Sequence, residues 1–151
     1  MVITISIVGI IVAVSSMYIV EVIRLWDFMS FRNEVVSQDR MALMRMTREM
    51  RQVYNQSSIL IATGTRFYFN INNTSAIDYN LNGTSLMRDA NILATGITNL
   101  TFVYYNNTSG VIPTPVANTS QIYLINITLE VSSGTQRKLL RAYVFPRNLG
   151  G

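Results

Sequence analysis

The chain has 151 residues, 49% of them hydrophobic and only 13% charged, and its 12 Lys+Arg against 8 Asp+Glu leave a net charge of +4. That length holds one compact domain with an appended segment rather than two full domains. With no Cys and no His, the chain has no thiol nucleophile, no disulfide, none of the usual zinc sites and no His-dependent triad.

Met1 to Val20 carry no charged side chain, and Gly9 is the single glycine before Gly64. An apolar run of this length is enough to cross a bilayer. No proline interrupts the chain as far as Tyr54. Read as one α-helix at 1.5 Å per residue, Met1–Tyr54 would be roughly 80 Å long, far more than the core of a domain of about 100 residues requires. Lipid or other copies of the chain must then bury it. No basic region precedes the apolar run and no small-residue cleavage site follows it. The expectation is an anchor kept at the N-terminus, or a short leader removed before Met1.

Charges begin at Glu21, and the apolar residues then narrow to a stripe. Val36, Leu43, Met46, Met50 and Val53 fall at heptad-like spacing, which suits packing on a sheet. Arg40, Arg45, Arg48 and Arg51, interleaved with Asp39 and Glu49, read as a solvated face. No dense basic run or nucleic-acid motif accompanies them. The helix is predicted to end between Tyr54 and Ser58.

Period two then replaces the helical period. Ser58–Ala62 and Thr65–Ile71 read as strands separated by Gly64. Ile77–Leu81 and Thr84–Arg88 flank Asn82-Gly83, a strong hairpin signal. Ile97–Tyr105 and Gln121–Ser132 are two longer strands around a loop at Asn106–Ser120, and a turn at Ser133-Gly134 leads to a last strand, Arg137–Phe145. The predicted class is α+β: a long N-terminal α-helix, apolar in its first half and amphipathic in its second, packed on a C-terminal antiparallel β-sheet. The expected division is residues 1–27 for the apolar half of the helix and 28–151 for a globular domain whose helix runs to about 56.

Asn-X-Ser/Thr occurs at Asn55, Asn72, Asn73, Asn82, Asn99, Asn106, Asn107, Asn118 and Asn126, nine of the 14 Asn in the chain. All nine lie in the predicted globular part, as an externally displayed glycosylated surface requires. Asn99 and Asn126 fall within predicted strands and need outward-facing positions. The aromatics Tyr18, Trp26, Phe28, Phe31 and Tyr54 have no regular spacing and read as packing residues. Asp78, Asp89 and Glu130 offer no acid–base pair at useful spacing, so no enzyme activity, cofactor or metal is expected.

The order of local phrases resembles the type IV pilin-like family over nearly the whole chain. Arg40–Val53 (RMALMRMTREMRQV) is similar to the end of the long helix in minor pilins and pseudopilins of the J and W types. Ile77–Arg88 (IDYNLNGTSLMR) resembles their hairpin, Ile97–Tyr105 (ITNLTFVYY) their following strand, and Val144–Leu149 (VFPRNL) their closing segment. One departure stands at Ile5, where processed bacterial pilins carry Glu; archaeal pilins and one class of tip pseudopilin also lack it. A Glu there would pair with a neighbour's amine in an apolar core, and Ile5 leaves docking to packing.

The resemblance implies a structural subunit of an extracellular type IV pilus-like filament, membrane-anchored before assembly. Met1, Ile3, Ile5, Ile7, Val8, Ile10, Ile11 and Val14 would form the filament core. The implied partners are identical subunits, a prepilin peptidase and an assembly ATPase, with no specific nucleic acid or metal. Two alternatives remain: a low-copy subunit at the tip of a pilus or type II secretion system, and a single-span membrane-anchored binding module.

Overall fold

The computed structural model describes residues 15–16, 18–23, 37–72, 75–133 and 136–146. The chain divides into two compact units, Met1–Glu34 and Val35–Gly151. In the first, residues 15–16 and 18–23 are helical.

The second unit opens with helix α1, residues 37–50. Apolar residues spaced three or four apart place Ala42, Leu43, Met46 and Met50 on one stripe, and all four are buried. Beyond residue 50 the bonding tightens. Gln52 N–H donates to the Glu49 carbonyl at 3.0 Å and Val53 N–H to the Met50 carbonyl at 3.3 Å, the i→i−3 pattern of a closing turn. Tyr54 N–H then donates to the carbonyl of Asn70, a strand residue, so the backbone has already passed from helix to sheet.

Nine strands follow among the described residues: β1 (Ile59–Ala62), β2 (Arg66–Asn70), β3 (Ala76–Asn82), β4 (Ser85–Arg88), β5 (Asn91–Thr95), β6 (Ile97–Tyr105), β7 (Val111–Ile112), β8 (Leu124–Ser133) and β9 (Gln136–Val144). They form two antiparallel sheets, ordered β1-β2-β3-β4-β5 and β7-β6-β8-β9. Tight turns fix the first sheet as a meander. Asn82 pairs with Ser85 across a two-residue turn in which Gly83 has φ 61, a conformation that suits a residue without Cβ. At the β4–β5 turn Asp89 takes φ 56, which Asp tolerates better than most residues. Gly96 alone links β5 to β6, at φ 80, and there the chain leaves one sheet for the other.

Both sheets feed one core. Phe67 and Phe69 of β2 alternate inward, as do Phe102 and Tyr104 of β6, and all four are essentially fully buried. The Phe67 ring lies 5.0 Å from Phe69 and 5.9 Å from both Phe102 and Tyr104, so this single side chain joins the two sheets. Burying each such ring stabilises the fold by about 1.5–3 kcal/mol. The Tyr104 hydroxyl donates to the Thr63 carbonyl at 2.9 Å, which removes the cost of burying it.

The structure corrects the expected class. In place of one long helix laid on one sheet it is mostly β, with two antiparallel sheets and a helix of 14 residues. A run without Pro or Gly permits a helix to continue but does not oblige it to. Helices in proteins are held chiefly by what their apolar stripe covers, and at its C-terminal end α1 closes where the backbone passes into the sheet at Tyr54. Among the described residues no helix is long and apolar enough to cross a membrane. This corrects the expected transmembrane helix and the long-helix pilin pattern. Most of the apolar run, residues 1–14, lies outside the described residues. Strands β5 and β7 were not expected. Asn91–Thr95 lacks clean alternation, with Asn91 and Ile92 both exposed, and Val111–Ile112 is a two-residue piece of a loop, placed by its pairing with Tyr104 and Tyr105.

Candidate functional site

Of the residues expected to pack helix on sheet, Leu43 is 8% exposed and Met46, Met50 and Val53 are 0% exposed, all in the common core. Val36 lies outside the described residues. So do Met1, Ile3, Ile5, Ile7, Val8, Ile10, Ile11 and Val14. What the first unit does show is a concentrated apolar surface: Tyr18, Ile19, Val20, Val22 and Ile23 are between 48% and 68% exposed, with Glu21 the one charge among them.

Burial sorts the nine sequons. Asn72, Asn82, Asn99, Asn107 and Asn118 are exposed, Asn55 and Asn106 are half-buried, and Asn73 lies outside the described residues. Asn126 is 8% exposed, which closes it to modification in the folded chain. Local hydrogen bonding explains the half-buried pair. The Asn106 Oδ1 accepts from Thr108 N–H, the Thr108 hydroxyl and Gly110 N–H. The Asn55 Oδ1 accepts from the Ser57 and Ser58 hydroxyls. In both cases Asn serves as the frame of a turn.

The two acids read as part of a solvated helix face are instead buried: Asp39 is 0% and Glu49 7% exposed, while Arg40, Arg45, Arg48 and Arg51 are exposed. Glu49 is fully engaged. Its Oε2 accepts from the Tyr79 hydroxyl at 2.6 Å and Arg88 Nε at 2.8 Å, and its Oε1 from Arg45 Nε at 2.9 Å. Burial pushes the Glu49 carboxyl up, but the bonds from Tyr79, Arg88 and Arg45 outweigh it and hold the group below the usual range. The Tyr79 hydroxyl is pushed up, first by burial and then by its bond to Glu49. Asp39 has the opposite environment: neither carboxylate oxygen has a hydrogen-bond partner, and burial raises its pKa to about 6. The periodicity contained this signal, because positions 39 and 49 fall on the stripe of 42, 43, 46, 50 and 53. Sorting residues by charge rather than by position hid it.

Among the described residues, no three His, Cys, Asp or Glu side chains cluster closely enough to hold a metal ion. Glu49 ties α1 to β3 through Tyr79 and to β4 through Arg88. No protein-family model matches the chain, and no curated protein matches it.

Proposed function

We propose that the chain is a structural subunit of an extracellular, pilus-like helical filament, polymerised through its apolar N-terminal segment while the sequon-bearing second unit stays available to solvent. The observation that carries this reading is the exposed apolar surface at helical residues 18–23, continuous in sequence with a start that has no charge before Glu21. Apolar surface this concentrated marks an interaction site. Copies of the same segment supply matching surface, and a heterologous contact between identical subunits repeats without closing. The absence of any sequon before Asn55 and the exposure of five later ones support outward display. The exported location, the assembly ATPase and the peptidase belong to the same proposal and rest on the pilin-like phrases.

The test is an Ile19→Lys chain expressed in place of the wild type, with sheared surface material viewed by electron microscopy. Filaments should disappear while the tyrosine near-ultraviolet signal of the second unit is kept. Normal filaments containing the variant would reject the reading. A subunit found only in trace amounts in intact filaments would mark a tip component instead.

A further inference from the structure

Helix α1 and the edge strand β9 border an open groove of about 610 Å³. Leu43, Met44, Thr47 and Arg48 of the helix, with Arg51 and Gln52 of its closing turn, form one side at the spacing i, i+1, i+4, i+5, i+8, i+9. The other side is three consecutive strand residues, Arg141, Ala142 and Tyr143. Successive side chains on a strand point to opposite faces. A groove touched by three in a row therefore runs along the strand's edge rather than across one face.

That edge is open. β9 pairs with β8 through nine consecutive positions without a bulge, and among the described residues no strand pairs with its other side. A long regular edge presents a row of unpaired N–H and C=O groups, a template for another strand. A groove between a helix and such an edge is the geometry in which extended peptides add to sheets. Met44 at 63% and Tyr143 at 52% exposure supply apolar contacts beside it.

Charge selects the occupant. Residues 37–146 hold nine Lys and Arg against five acids, and those acids are already spent: Asp39 is buried without a partner, while Glu49, Asp78, Asp89 and Glu130 are ion-paired within the chain. Arg48, Arg51 and Arg141 all border the groove, and none belongs to the ion pairs of the described residues. The second unit of another copy therefore has no free acidic strand to offer. We propose that this groove binds an extended acidic segment of a different protein, added antiparallel or parallel to β9, with its carboxylates on Arg48, Arg51 and Arg141. This inference is independent of the filament reading.

The test uses the full-length chain in detergent micelles and a fluorescent peptide of about ten residues in which Glu alternates with Val or Ile, read by anisotropy. Three further probes accompany it: the same peptide with Gln for Glu, the same peptide with one central Pro, and a thymidine oligonucleotide of similar length. The acidic peptide should bind at least about tenfold tighter than each of the three. It should also slow amide hydrogen exchange across 139–144. Arg51→Gln together with Arg141→Gln should weaken it by about tenfold or more with exchange elsewhere unchanged. Equal binding of the Gln peptide removes the charge argument, and equal binding of the Pro peptide removes strand addition. An oligonucleotide that binds as tightly makes the groove a general anion site. Any of these three outcomes, or unchanged exchange at 139–144, overturns the proposal.

Discussion

The two ends of α1 bury a carboxylate each, ten residues apart on one stripe, and treat it in opposite ways. At the C-terminal end Glu49 receives Tyr79, Arg88 and Arg45. At the N-terminal end Asp39 receives nothing on either oxygen. Equal burial therefore leads to opposite energetics. A buried charge with hydrogen-bonded partners fixes the helix against β3 and β4, whereas an unpartnered one opposes folding. Burial alone does not say whether an acid stabilises this unit; its partners do.

The comparison breaks most visibly at the paired end. Glu49→Ala leaves the Tyr79 hydroxyl buried without an acceptor and Arg88 with only Asp89 beside it. The expected loss is about 3 kcal/mol of unfolding free energy in urea titrations followed by tyrosine near-ultraviolet signal. A loss below about 1 kcal/mol would mean that the network is replaceable by water.

The unpaired end should respond with the opposite sign. A carboxyl raised to about 6 when folded costs nothing below its unfolded value near 4, and the cost grows as the pH climbs through about 6. Asp39→Asn is therefore expected to stabilise the unit by on the order of 2 kcal/mol at neutral pH and by almost nothing near pH 4. Glu49 runs the other way: its folded value is lowered, so its contribution is complete above its unfolded pKa and fades as acid protonates it. Wild-type stability should rise from neutral pH toward about pH 5 and fall below about pH 4, while the Asp39→Asn variant should lose the rise and keep the fall. Urea midpoints across that range decide it.

The smallest expected effect sharpens the division within the network. Arg45 is 45% exposed in its side chain and sits one turn from Glu49. Arg45→Ala should cost roughly 0.5 kcal/mol or less, and a much larger loss would show that it, rather than Tyr79 and Arg88, holds the carboxylate.

Strand positions were largely legible in the sequence because period-two alternation and turn residues are local signals. The Asn82-Gly83 hairpin and Ile97–Tyr105 match β3–β4 and β6 closely. The break into two sheets was not legible, since it depends on the lone Gly96 link and on Phe67 reaching rings on both sides. The helix stripe at Leu43, Met46 and Met50 could be read from spacing. The end of the helix could not, because it is set where Tyr54 bonds to Asn70. The groove along β9 had no sequence signature at all: its halves come from positions 43–52 and 141–143.

By itself the sequence determined the uncharged start, the period of each segment, the absence of Cys and His chemistry and the places where the chain can turn. These follow from side chains and near neighbours. Only the tertiary structure decided how far the helix runs, which sheet each strand joins, which Asn are accessible and which acids are paired. Those outcomes depend on contacts between residues distant along the chain, and a local pattern carries no information about them.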